Sequence, residues 1–148
     1  MQPTLIDGAT APYGVAILRI TAGLAFLGHA AFKLLVLGPS GTMAFFGHFG
    51  LPGWLGLLSI AVDALAGLAL VLGIYSRIAA IVVLPELLGA LLVVHLKNGF
   101  SFMAPGGGWE YPAFWILTMI AIALIGDGAW AIRPTMSLAE RPRMSLAK

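Results

Sequence analysis

The chain has 148 residues, of which 60% are apolar and 9% charged, with a formal net charge of +2 and a mean hydropathy of +1.00. A soluble domain carries roughly a quarter charged residues, so this composition excludes one and points to a single membrane domain, residues 1–148. The small, scattered charge excludes nucleic-acid binding, and the absence of cysteine excludes disulfides, thiol relays, iron–sulfur clusters and thiolate-held metals.

The opening segment, "MQPTLIDGATAPYG", lacks a basic n-region and includes Asp7, so it does not read as a cleaved secretory signal. Four stretches are apolar over about the 20 residues that cross a hydrocarbon core: Gly14 to Leu37, Trp54 to Tyr75, Ile78 to Leu96 and Pro112 to Ile132. Backbone amides in lipid need partners within their own element, and these stretches lack the alternation of a barrel strand, so all four are predicted helices. The expected fold is an all-α membrane protein, a four-transmembrane-helix bundle.

The connections add detail. Between the first and second stretches, "GPSGTMAFFGHFGLPG" brackets an apolar piece, Thr42 to Phe49, which predicts a short interfacial helix. The turn at "YSR" makes spans two and three an antiparallel hairpin. Three successive glycines in "KNGFSFMAPGGGWEYP" rule out a continuing helix. Phe100, Phe102, Trp109, Tyr111 and Trp115 gather there as aromatics do at a membrane–water interface. The tail, residues 133–148, holds two near-copies of RPxMSLA and reads as a flexible basic strip against anionic headgroups. Arg77, Arg133, Arg141, Arg143 and Lys148 lie on one side of the membrane, with Lys33 and Lys97 toward the other. The positive-inside rule then places both termini in the cytoplasm and both long loops outside the cytoplasmic (inner) membrane.

Ionisable residues at membrane depth cost on the order of 2.5–3.5 kcal/mol each, and the spans contain Arg19, His29, Lys33, Asp63, Glu86, His95 and Asp127. At ~1.5 Å rise per residue, Asp63 and Glu86 fall near the midplane and Arg19 somewhat nearer the cytoplasm. His29 and His95 come out at nearly one height in the outer third, with Lys33 just above. At 100° per residue, Arg19, His29 and Lys33 share a face within roughly 80°, which must point into the bundle. Two polar layers are therefore predicted: Arg19, Asp63 and Glu86 at the midplane, and His29, Lys33 and His95 beneath loops carrying His48, Lys97 and Glu110.

Plainer roles stand beside this. Lys33 can snorkel to the outer headgroups, and Arg19 can form a structural pair with Asp63 or Glu86. Asp127 in "GDG" reads as a helix-end residue and Arg77 as a topology determinant. Pro85 kinks the third span beside Glu86. The two histidines can be a simple interhelical hydrogen-bonded pair.

The outer layer suits a quinone headgroup, which needs hydrogen-bond donors, exchangeable protons and apolar walls. His29 and His95 would bind and protonate it, Lys33 would stabilise developing negative charge, and Glu86 with Asp63 would pass protons. The candidate catalytic set is thus His29, His95, Lys33, Glu86 and Asp63, with Phe26, Phe32, Phe100 and Phe102 as walls. Electrons would come from a partner redox subunit. Alternatives are a b-type haem between His29 and His95, or a metal site of His29 and His95 with His48 or Glu110. Another is a non-catalytic anchor in the lipid bilayer that holds partner proteins or further copies of itself.

The segments "LRITAGLAFLGHAAFKL", "FFGHFGLPG", "GLALVLGIYSRIAA", "LLGALLVVHLKNGF", "GGGWEYP" and "GDG", in this order and spacing, resemble the DoxX family of small four-span membrane proteins over about Ile17 to Gly128. The family pattern marks the positions of Arg19, His29, Lys33, Asp63, Arg77, His95, Asn98, Gly99, Phe100, Glu110 and Tyr111. The resemblance implies a four-helix bundle in the cytoplasmic membrane. Its relatives include a subunit of a thiosulfate:quinone oxidoreductase and others that associate with redox-defence proteins. The candidate headgroup-binding set is Arg19, Phe32, Asn98, Phe100, Glu110 and Tyr111, all but Phe32 at positions that the family pattern marks. Asp63 stands where the family more often has Glu, and Glu86 where an apolar residue is expected.

Overall fold

A computed structural model describes residues 6–135; most of the proposed basic strip, residues 136–148, lies outside the described residues. Asp7 accepts hydrogen bonds from the Ala9 amide and the Thr10 hydroxyl, which hold its carboxyl below the usual carboxylate range. That turn leads into α1 (Ala11–Ala31), where Pro12 sits in the first turn and its missing N–H is no loss. Beyond Ala31 the helix widens into a π-helical turn, Phe32–Val36. Helix α2 (Gly38–His48) follows from Gly38, whose φ of +71° suits glycine. Helix α3 (Trp54–Leu72) ends on the left-handed Gly73.

Helices α4 (Ser76–Val82) and α5 (Leu84–Gly89) are interrupted at Val83, because Pro85 has no N–H to give the preceding turn. A second π-helical turn, Ala90–His95, and a short 3₁₀ turn, Leu96–Asn98, complete this run. The last helix among the described residues is α6 (Glu110–Ile125).

Among the described residues, three helical runs are long and apolar enough to cross a membrane: Ala11–Val36, Trp54–Leu72 and Ser76–Asn98. Helix α6 has 16 residues, so at ~1.5 Å per residue it falls short of a ~30 Å hydrocarbon core. The fourth predicted helix, Pro112 to Ile132, therefore needs correction. It stops at Ile125 because Gly126 (φ +115°) and Gly128 (φ +69°) turn the chain back. Residues 132 and 133 then donate to the carbonyls of Leu72 and Gly73, and Tyr75 donates to Arg133. Trp130 and Ile132 are apolar, but they do not extend the helix.

The predicted interfacial piece, Thr42 to Phe49, is longer than expected and starts at Gly38. Its buried Thr42 donates to the carbonyls of Lys33 and Gly38, and it lies so close to α3 that a Cβ on Gly56 would sit 2.9 Å from the Thr42 oxygen. The core is built from Phe26 of α1, Leu70 of α3, Val83 between α4 and α5, and Met119 and Ile122 of α6. Helices α1 and α3 cross at Gly23 and Gly67; a Cβ on Gly23 would meet the Gly67 oxygen at 2.7 Å. Small residues let backbones approach where lipid gives no hydrophobic drive between helices.

Candidate functional site

Charged side chains organise the two ends of the bundle differently. At the end shared by the α3–α4 turn and the segment after α6, Arg19 is wholly buried and donates to the carbonyls of Leu70, Val71 and Ala129. Leu70 and Val71 belong to the last turn of α3, whose carbonyls lack intrahelical partners and attract cations. Asp127 supplies the nearby counter-charge. Its carboxylate accepts from the Ser76 amide at the start of α4 (2.8 Å) and from the Thr135 amide (2.8 Å). Arg77 closes the last turn of α6 in the same way, donating to the carbonyls of Ala123, Leu124 and Ile125.

In the other half of the bundle, the charges meet one another. The Lys33 ammonium lies 2.8 Å from Asp63 Oδ2 and 2.5 Å from Glu86 Oε1, and donates to Ser59 Oγ at 3.1 Å. Ser59 passes its own hydrogen to the Gly56 carbonyl. Four side chains from α1's π-helical turn, α3 and α5 thus share one centre. The side chains of Lys33, Asp63 and Glu86 are 17%, 3% and 22% exposed. An ammonium has three hydrogens to give, and here three acceptors surround it. Glu86 Oε2 is buried with no hydrogen-bond partner among the described residues.

The direction of a helical side chain explains both ends. Cα–Cβ bonds tilt toward the N-terminus of their helix. Lys33 therefore leans back into the bundle toward the carboxylates and does not snorkel outward. Arg19 leans toward the start of α1, away from Asp63 and Glu86, and reaches the end of α3. The predicted midplane group of Arg19, Asp63 and Glu86 is thereby corrected: Arg19 belongs to the opposite end, and Lys33 takes its place.

The two outer histidines make separate contacts. His29 is exposed on the flank of α1, where it lines an open groove with Ala25, Gly28 and Phe32. Its ring packs edge-on against Trp115 of α6 at 5.4 Å, and it lies within range of the Asp63 and Lys33 charges. His95, half-buried, instead places Nδ1 2.9 Å from the Gly107 carbonyl. Asn98 donates to Val94, Gly106 and Gly107 beside it, so these two residues brace the outer loop. No hydrogen bond joins His29 to His95, and no group of three or more metal-capable side chains forms among the described residues.

The remaining sequence-derived positions divide likewise. Phe32 stays with the His29 groove. Phe100, Glu110 and Tyr111 lie along a second, aromatic groove between the outer loop and α6. There Glu110 accepts from the Phe102 amide, Phe100 meets Trp109 edge-on, and Tyr111 leans on Trp115. Ser59 escaped the sequence reading, although it stands four residues before Asp63 and so on the same helical face. Trp115 was read only as an interfacial aromatic, yet it joins His29 to Phe26, whose ring it meets at 4.7 Å.

The DoxX family model matches residues 14–96. A Bacillus subtilis (strain 168) protein named "Putative oxidoreductase CatD" is 31% identical over 121 residues, covering 82% of this chain and 85% of its own length. A Mycobacterium tuberculosis protein named "Uncharacterized membrane protein Rv3486" is 26% identical over 146 residues, covering 87% of this chain and 85% of its own. No solved structure gives a significant match.

Proposed function

The chain belongs to the DoxX family, and from that premise we propose that it is the membrane-integral subunit of a quinone-linked redox system. The observation that carries this reading is the Lys33–Asp63–Glu86 centre, set at membrane depth beside the exposed imidazole of His29. Charged groups in a span are expensive and mark pathways or reactive sites. The groove of Ala25, Gly28, His29 and Phe32 opens on the flank of α1. A ligand dissolved in the bilayer would enter there sideways, without crossing water.

In this reading α6 is the fourth crossing, completed by the segment that folds back after Ile125. Both termini lie in the cytoplasm, and the protein sits in the cytoplasmic membrane. The Arg-rich ends support that orientation, with five basic residues on one side against Lys33 and Lys97 on the other. The name of the Bacillus subtilis relative supports the redox class.

The roles follow from placement. His29 donates a hydrogen bond to a headgroup oxygen in the groove, and Phe32 with Ala25 and Gly28 forms the apolar wall. Asp63 orients and charges the site from behind His29. Lys33 holds the two carboxylates together and stabilises negative charge on either. A quinone, when bound, supplies two-electron, two-proton acceptor chemistry. The chain has no cysteine and hence no thiol couple, so electron delivery falls to a partner subunit carrying its own redox centre. His95 and Asn98 act on the loop and do not touch the ligand.

A photoreactive quinone analogue in reconstituted membranes tests the reading. The expected label maps to the α1 flank around Phe32, is displaced by excess quinone, and is lost in His29→Ala. Labelling that ignores both the competitor and the substitution would leave the protein as an anchor for partners and remove the quinone role.

A further inference from the structure

The charges around Lys33 do not balance as ordinarily written. One ammonium meets two carboxylates, 2.8 and 2.5 Å away, in side chains that are at most 22% exposed. Fully ionised, the triad carries a net charge of −1 inside a low-dielectric bundle, where an uncompensated charge is neutralised by binding a proton. Two places could carry the balancing proton: His29, as imidazolium, or one of the carboxyls. His29 is the worse place. Its ring is exposed on the flank of α1, which faces lipid when the chain is in a membrane, and an imidazolium there would itself lack a partner.

The two carboxyls differ in their neighbours. Asp63 lies between two basic groups, the ammonium of Lys33 and the imidazole of His29. Glu86 faces the same ammonium; each carboxyl is the other's anion, so the difference between them is the imidazole beside Asp63. Asp63 Oδ2 and Glu86 Oε2 are both buried without a hydrogen bond among the described residues, but Asp63 Oδ2 lies 2.8 Å from the Lys33 ammonium, whereas the ammonium's contact with Glu86 is made by the other oxygen, Oε1. Asp127 shows the contrast, since both of its oxygens accept from backbone amides. The Ser59 hydroxyl cannot serve Glu86 either, because its hydrogen goes to the Gly56 carbonyl.

We propose that the Lys33–Asp63–Glu86 centre stores one exchangeable proton, carried by Glu86 as a neutral carboxylic acid, and that Glu86 is the proton donor of the site. The Lys33–Asp63 pair is then the ion pair proper, and the centre as a whole is neutral. When the proton leaves, the O–H bond of Glu86 breaks and its electron pair stays on the carboxylate. That carboxylate is already in place against the Lys33 ammonium. The proton goes to a basic oxygen in the His29 groove, and water at the bundle's end restores it. No electron is required of Glu86. The inference rests on the quinone reading only for the identity of the acceptor; the stored proton itself does not depend on it.

Infrared spectroscopy of the full-length, quinone-free protein in lipid tests the inference. At neutral pH the wild type is expected to show one carboxylic-acid C=O band that shifts in D2O. Carboxyl-labelled glutamate should move this band and carboxyl-labelled aspartate should not. In Glu86→Gln, a neutral near-isostere, the band should disappear while helix content and elution volume stay at wild-type values. Absence of any such band in the wild type, a band moved by the aspartate label, or its persistence in Glu86→Gln each overturns the assignment. The isotope arms use unmutated protein, so they decide even where a variant folds poorly. If the band behaves as expected but quinone labelling fails, the proton store stands and the quinone reading falls; the converse result separates them equally.

Discussion

The two charged regions of this bundle use similar residues to opposite ends. Around Arg19, Arg77 and Asp127, every charge is placed on backbone groups that a helix end leaves without partners. The carbonyls closing α3 and α6 take the guanidinium groups, and the amide opening α4 takes the carboxylate. Around Lys33 the charges, carried on the π-helical turn after α1, the middle of α3 and the first turn of α5, bond no backbone group among the described residues and are turned on one another. A cluster built on helix ends has a structural reason to exist. A cluster that creates its own electrostatic problem in the middle of a membrane needs another reason, and proton exchange is one.

The sharpest way to break this contrast is to remove Lys33. Lys33→Met leaves Asp63 without its ammonium, and stripping one partner from a buried pair costs about 3–5 kcal/mol. Thermal unfolding in detergent should show a larger loss than Asp127→Ala, Gly67→Val or the replacement of either histidine. Compensation should then be lopsided. With Glu86 neutral, Lys33→Met combined with Asp63→Asn removes the ion pair whole and restores most of the stability. Lys33→Met combined with Glu86→Gln still strands Asp63 and restores little. Equal rescue by both carboxyl substitutions would mean that the triad shares its charge evenly, and the contrast between Asp63 and Glu86 would be lost.

The helix-end region should respond more mildly and without touching ligand binding. Asp127→Ala leaves the buried Ser76 amide unsatisfied, at about 1–3 kcal/mol, while the part-buried Thr135 amide can turn to water. A lowered unfolding temperature with unchanged quinone labelling is expected. If Asp127→Ala abolished labelling at equal folded fraction, the two regions would be one system. A comparable loss of about 1–3 kcal/mol is expected from Gly67→Val, because the added side chain would force α1 and α3 apart where a Cβ already comes within 2.9 Å of the Gly23 oxygen. Its displacement lies between the two regions, so unfolding should lose stability while the infrared band of Glu86 changes little.

Hydropathy located the helices well, because apolar runs bounded by glycine and proline leave few alternatives in lipid. It overran slightly at the end of α3, where Gly73 stops the helix, and further at the end of α6, where Trp130 and Ile132 extend the apolar run past a glycine pair that the chain uses to turn back. The candidate site was half legible. Counting residues placed the Cα atoms of Lys33, Asp63 and Glu86 at membrane depth. It could not show that Lys33 and Arg19 both lean toward the start of α1, which reverses their expected partners. Ser59 could have been found from its spacing to Asp63. The place of His95 could not, since its partner is a loop carbonyl 12 residues on and no helical periodicity reaches across "GFSFMAPGGG".

The smallest expected effect concerns the two histidines, which the sequence paired and which contact different partners in the structure. His95→Ala removes one half-buried hydrogen bond to the Gly107 carbonyl, worth about 0.5–1.5 kcal/mol. Asn98 still donates to that same carbonyl at 3.0 Å, so the loop keeps part of its brace. Hydrogen exchange should quicken in residues 99–109 and nowhere else, with quinone labelling retained. His29→Ala should do the reverse: unchanged exchange in that loop and no labelling. Its ring makes no hydrogen bond within the described residues, only the edge contact with Trp115, so its loss should move the unfolding temperature least of all. If both substitutions abolished labelling alike, the outer loop would have to fold over the groove in the working protein, bringing His95 to the headgroup after all.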